Sequence, residues 1–75
     1  MLSEQARLLI EQNGCLHGDH YSFNTGEFIS WSQQAGERLS QDEASHVLQQ
    51  FCQPIGMDSS ETIWRHYLRY PYGLR

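Results

Sequence analysis

Apolar residues recur at helical spacing near the start of the chain, and this predicts an N-terminal helix. Ala6, Leu9 and Ile10 share one face of that helix. Ser3 is the predicted N-cap, because a serine hydroxyl can accept a hydrogen bond from the first free backbone N–H groups. The pair Asn13-Gly14 predicts the end of the helix, since both residues tolerate left-handed backbone.

The hydrophobic period changes to two after residue 19, and this predicts a short β-hairpin. Residues 20–23 and 27–30 would pair as antiparallel strands around a loop at Asn24-Thr25-Gly26. His20 and Ser22 would lie on the face opposite the apolar side chains of the first strand. Ser30 and Gln33 offer an alternative, because their spacing resembles a capping box that would begin a short helix at Trp31.

Two capped apolar stripes predict helices in the second half of the chain. Ser40 and Glu43 form a capping box before a stripe that runs over residues 40–53 and ends at Pro54. A second box-like start, Asp58 with Glu61, precedes a stripe over residues 58–69. The fold prediction is therefore an α-rich α+β chain with an N-terminal helix, a short hairpin and two or three C-terminal helices. An all-α fold is the alternative.

Composition and length indicate one domain, residues 1–75, without a membrane span. The chain has nine acids, five arginines and no lysine, so its formal charge is −4. Its apolar runs fall far short of the ~18 residues that a spanning helix needs, and its first residues lack the pattern of a signal peptide. Cys15 and Cys52 are expected to be reduced thiols in a cytoplasmic protein.

The chain contains the residue types of a zinc site and of a catalytic triad, but their spacing along the sequence is typical of neither. Two cysteines and two histidines would satisfy a structural zinc, yet the spacing from Cys15 through His17 to His20 matches no familiar zinc knuckle. Cys15, His17 and Asp19 contain the residue types of a catalytic triad, but such triads are usually assembled from distant segments. We therefore expect no metal, no cofactor and no enzymatic activity. A zinc-stabilised module is the second alternative to the main functional prediction below.

A DNA-binding helix-turn-helix is the first alternative. Residues 41–69 would supply the two helices, with residues 59–69 as the recognition helix. Residues 1–64 carry two arginines against all nine acids, whereas residues 65–75 carry three arginines and no acid. The acidic total and the missing lysines oppose binding to a phosphate backbone.

The C-terminal segment is the predicted binding surface, because it combines tyrosine and arginine, which are enriched at interface hot spots. The main prediction is a small non-catalytic regulatory or inhibitory protein that acts by binding a protein partner. Small acidic proteins of this kind are common among phage- and plasmid-borne regulators, which associates the chain with that class without a residue-level argument. The predicted partner-binding residues are Arg65, Arg69, Tyr70, Tyr72 and Arg75.

Overall fold

A computed structural model describes residues 1–67, which form three helices and one four-stranded antiparallel sheet. The elements are α1 (Ser3–Asn13), β1 (Leu16–His17), β2 (His20–Asn24), α2 (Thr25–Gln34), α3 (Gln41–Leu48), β3 (Gln53–Asp58) and β4 (Glu61–Tyr67). The strand order is β1-β2-β4-β3, so the two central strands are far apart in the sequence. Within residues 1–67, none of the helices has the length and apolar character needed to cross a membrane.

Alternation along the two central strands creates the core. Tyr21 and Phe23 of β2 and Trp64 and His66 of β4 are buried, while their neighbours along the strands are half-buried or, for Tyr67, exposed. The register sets Tyr21 beside His66 and Phe23 beside Trp64, so the four side chains share one face of the sheet. The three helices complete this core with Ala6, Ile10, Phe28, Ala44, Val47 and Leu48.

The start of α2 is fixed to β4 by polar contacts. The indole N–H of Trp64 donates to the hydroxyl of Thr25 at 2.9 Å, and that hydroxyl lies 3.3 Å from the carbonyl oxygen of Thr62. The carboxylate of Glu61 accepts from the backbone N–H of Gly26 at 2.7 Å. This carboxylate satisfies a free N–H and stabilises the positive end of the helix dipole.

The predicted N-terminal helix is present as α1, but its cap differs from the prediction. Leu2 occupies the N-cap position, and its N–H donates to the side chain of Gln5 at 3.1 Å. Ser3 is the first helical residue, and its hydroxyl donates to Gln50 at 3.1 Å, next to α3. The serine therefore links α1 to the segment that follows α3.

The predicted hairpin is wrong in its second half. Its first strand is present as β2, but residues 25–34 form α2. The side chain of Asn24 accepts from the N–H of Glu27 at 2.8 Å, and the carboxylate of Glu27 accepts from the N–H of Asn24 at 2.9 Å. This reciprocal capping box begins α2 one residue after β2 ends, so Asn24 caps a helix and does not open a turn.

The predicted C-terminal helices are wrong beyond residue 48. The capping box of Ser40 and Glu43 is present and begins α3, which ends at Leu48. The segment expected to be helical over residues 58–69 instead forms a turn and β4. Ser59 and Ser60 both have positive φ, 51° and 69°, which a helix start excludes and a two-residue hairpin turn requires. The all-α alternative is also wrong, and the α+β class holds with a larger sheet.

Candidate functional site: the open face of the sheet

One face of the sheet carries no helix of residues 1–67, and we call it the open face. The alternation that buries Tyr21 and Trp64 points their neighbours to the opposite side. The register then arranges those neighbours in rows across the strands. The open face consists of His17, His20, Ser22, Asn24, Gln53, Ile63, Arg65 and Tyr67, and the same register continues it through Gly56 to the acidic pair Asp58 and Glu61 at the β3–β4 turn.

Three rings form the first row of the open face and span three strands. The ring centroids of His17 and His20 are 6.3 Å apart, and those of His20 and Tyr67 are 5.9 Å apart with an edge-on geometry. Tyr67 is 44% exposed. The row therefore offers a partly exposed aromatic surface that a partner side chain can cover.

Arg65 lies in the second row, between Ser22 and Gln53 on the neighbouring strands. Its guanidinium carbon is 5.8 Å from the centroid of the Tyr67 ring, and its Nη1 donates to the Tyr67 hydroxyl at 3.1 Å. Its Nε is buried and has no hydrogen-bond partner among residues 1–67. No carboxylate of those residues lies within ion-pair distance of the guanidinium, so Arg65 forms no ion pair within residues 1–67.

Asp19 lies at the rim of the open face, in the turn between β1 and β2. Its Oδ1 is 3.0 Å from Nδ1 of His20. This hydrogen bond is the main cause that lowers the pKa of the Asp19 carboxyl, and the charges of His20 and Arg65 contribute less. The aspartate therefore orients the His20 ring, and it feels the positive potential of Arg65 without touching it.

The helical side of the molecule carries an excess of acids. Residues 1–14 and 25–52, which include all three helices, contain six carboxylates against two arginines. A surface groove of about 390 Å³ lies on this side, and Leu39, Asp42, Glu43, His46 and Val47 are among its lining residues. The groove is acidic, so it is the competing candidate for a binding surface.

A second cluster of ionisable groups is buried under the sheet. His66 is 3% exposed, and its Nε2 lies 3.1 Å from a carboxylate oxygen of Glu11 on α1. Tyr21 stacks on the His66 ring at 5.9 Å, and Phe51 meets that ring edge-on at 5.3 Å. The cluster ties β4 to α1 and leaves the His66 ring little access to a ligand.

The cysteines have different environments. Both are free thiols, with Cys15 exposed and Cys52 buried. Burial raises the pKa of the Cys52 thiol to about 12, which keeps it protonated and poorly nucleophilic at neutral pH. Asp19 bonds His20 and not His17, so the sequence-adjacent triad of Cys15, His17 and Asp19 lacks the hydrogen bond that would orient its histidine. Within residues 1–67, no group of three or more histidine, cysteine or acidic side chains has a metal-binding arrangement.

Of the predicted partner-binding residues, Arg65 lies on the open face. Arg69, Tyr70, Tyr72 and Arg75 lie outside the described residues. Sequence reasoning did not select His17, His20 and Tyr67, because only strand pairing brings them together. The alternation of His20 and Ser22 against Tyr21 and Phe23 was the available signal for β2. The pairing of β2 with β4 had no local signal.

Comparison of the chain with protein-family models, curated proteins and solved structures gave no match.

Proposed function

We propose that this chain is a small non-catalytic regulatory or inhibitory protein that acts by binding a protein partner through its open face. The observation that carries the proposal is Arg65, which forms no ion pair within residues 1–67 and lies beside the ring row of His17, His20 and Tyr67. Arginine and tyrosine are enriched at interface hot spots, where burial of a ring and of a paired charge supplies most of the binding energy. The proposal includes a cytoplasmic location, which the two free thiols favour.

The sheet edges are poor alternatives to the open face. The edge strand β3 contains Pro54, which has no N–H to donate, and its pairing with β4 is irregular between Pro54 and Gly56. The opposite edge, β1, has only two residues. Short strands, prolines and bulges discourage the addition of a foreign strand. A partner is therefore expected to lie across the strands and not beside them.

Nucleic acid remains the alternative class of partner. Binding by a helix-turn-helix is not supported, because the predicted recognition helix is not formed over residues 59–67. Most of the segment expected to read bases, residues 59–69, is a turn followed by β4. A ring row beside an arginine also resembles the stacking surfaces that bind single strands. The acidic helical side and the absence of lysine weigh against this class.

The proposal extends from the open face to the segment that follows it in the sequence. Arg69, Tyr70, Tyr72 and Arg75 come after Tyr67, and their residue types match those of the open face. Sequence alone supports this extension. It is tested separately by Arg69→Ala and Tyr72→Ala.

The deciding experiment compares partner capture by matched variants. The tagged chain is used to recover its partner from a native-host lysate, and the affinity for the purified partner is then measured. We expect Arg65→Ala and Tyr67→Ala each to weaken binding tenfold or more, with thermal midpoints near that of the wild type. Arg38→Ala, which removes an exposed arginine from the helical side, is the control and should bind normally.

Charge reversal of the acidic groove provides the opposing test. If Asp42→Lys abolishes binding without lowering the thermal midpoint, while Arg65→Ala and Tyr67→Ala bind normally, the interface is the helical side. That result would overturn the assignment to the open face.

A further inference from the structure

We propose that the open face recognises a carboxylate-rich segment of its partner, with one carboxylate bound by Arg65 between Ser22 and Gln53. This inference rests on the proposed function and adds the chemistry of the partner. Arginine matches a carboxylate because its planar guanidinium donates two parallel hydrogen bonds. The hydroxyl of Ser22 and the amide of Gln53 flank the guanidinium by register and can donate to the same anion.

The acids nearest in the fold are already committed elsewhere. Asp19 bonds His20 at 3.0 Å, and Asp58 accepts from the Ser59 hydroxyl at 3.4 Å. Glu61 accepts from the N–H of Gly26 at 2.7 Å, at the start of α2. These are the three carboxylates of the sheet and its turns, and within residues 1–67 none of them forms an ion pair with Arg65, which can therefore bind an external anion.

The charge of Arg65 marks the place on the open face where a carboxylate is favoured. The helical side carries six carboxylates against two arginines and repels an acidic segment. The open face attracts it at Arg65, whose field already contributes to the lowered pKa of Asp19. Asp19, Asp58 and Glu61 lie in or next to the turns at the ends of the strands, so a partner carboxylate is favoured at Arg65 and disfavoured at those ends, which fixes its position on the face.

The ring row defines what should accompany the carboxylate. Tyr67 touches both Arg65 and His20, so a carboxylate on Arg65 lies beside a partly exposed aromatic surface. A partner residue next to the acid therefore gains by burying an aliphatic or aromatic side chain against Tyr67. The expected recognition element is an acid adjacent to a large apolar residue.

An acidic peptide fits this surface better than a nucleic acid does. A nucleic acid presents a continuous row of phosphates, and its affinity grows with the number of cations that neutralise them. The described part of the open face has one arginine and no lysine. A single strongly bound carboxylate needs only one such residue.

The test is an NMR titration of the 15N-labelled full chain with three probes. The probes are a glutamate-rich peptide containing tyrosines, a hexalysine peptide and a ten-residue oligothymidylate. The glutamate-rich peptide should shift the signals of Ser22, Gln53, Arg65 and Tyr67 saturably. Hexalysine should leave these signals unchanged, and the oligothymidylate should bind the open face more weakly than the glutamate-rich peptide does.

Variants separate charge from geometry in this titration. Arg65→Ala should weaken the glutamate-rich peptide at least tenfold, Arg65→Lys should give an intermediate loss, and Arg38→Ala should have no effect. The inference is overturned if the peptide leaves the open face unshifted. It is equally overturned if oligothymidylate binds that face more tightly. In the first case the proposed function still stands, provided that capture of the natural partner depends on Arg65 and Tyr67.

Discussion

At the scale of single residues, the hydrogen bond from the Trp64 indole to the Thr25 hydroxyl offsets the cost of burying these two polar groups in the core. The indole is 2% exposed and Thr25 is 3% exposed, so neither group has water as a substitute partner. The bond at 2.9 Å joins β4 to the first turn of α2. It connects two segments that are 39 residues apart in the sequence.

Replacement of the Thr25 hydroxyl should therefore destabilise the fold. Thr25→Val keeps the shape but leaves the indole N–H buried without an acceptor, which costs about 1–3 kcal/mol. The matched control is Thr62→Val, because the hydrogen bond of the Thr62 hydroxyl within residues 1–67 is a long one, 3.6 Å to the sulfur of the exposed Met57. Its expected cost is below about 0.5 kcal/mol. Urea denaturation followed by circular dichroism measures both, and equal costs would contradict this role of Thr25.

The two thiols should react differently. At pH 8 the native protein should lose one thiol to a disulfide reagent, the exposed Cys15, while the buried Cys52 reacts only after denaturation. The pKa of Cys52 is raised in the folded state above its ordinary value of 9.0. The free energy of unfolding should therefore be unaffected by this thiol below about pH 9. It should fall as the pH rises from about 9 toward 12, because the unfolded chain then releases the Cys52 proton more readily than the folded protein does. Two thiols that react equally fast in the native protein would contradict the burial of Cys52.

At the scale of elements, α1 and α3 were predicted correctly because their signals are local. β4 was not predicted, because the pairing that makes it a strand is with a distant part of the sequence. α3 combines a capping box at Ser40 with an apolar stripe, and both signals lie within a few residues. Residues 61–67 contain Ile63, Trp64 and Tyr67, whose spacing fits a helical stripe as well as a strand. Pairing with β2, about forty residues earlier, decides between them. A local window does not contain that information.

The same ambiguity affected Asn24. Asparagine before Thr-Gly suits both a hairpin loop and a helix N-cap. Glu27, three residues later, completes a capping box and was the overlooked local signal. The prediction of the first strand was therefore correct. The prediction of the hairpin was wrong because the same residues suit a hairpin loop and a helix N-cap, and the helix forms.

The turn between β3 and β4 predicts that one substitution to glycine raises the stability of the protein. Ser60 has a φ of 69°, where a side chain is strained and glycine is not. Ser60→Gly should stabilise the protein by about 0.5 kcal/mol, after allowance for the extra freedom of glycine in the unfolded chain. Ser45→Gly, inside α3, is the matched control and should destabilise it by about 0.5 kcal/mol. Thermal or urea unfolding compares the two, and a loss of stability for both variants would contradict the hairpin turn.

At the scale of the whole molecule, the sheet separates two charge environments. The helical side holds most of the carboxylates, and the open face holds Arg65 with the ring row. The sequence indicated this polarity, since the last eleven residues contain three arginines and no acid. It identified Arg65 but not Tyr67, His17 and His20, which belong to the site only through the pairing of β4 with β2 and of β2 with β1.

Hydroxyl-radical footprinting of the complex with the captured partner tests the central claim most directly, because it reports side-chain exposure residue by residue. We expect Tyr67, His17 and His20 to become protected from oxidation on binding. Leu8 on α1 and His46 on α3 are exposed on the helical side and should keep their free-state reactivity. Protection of Leu8 or His46 with unchanged oxidation of Tyr67, His17 and His20 would contradict the assignment of the open face as the binding surface.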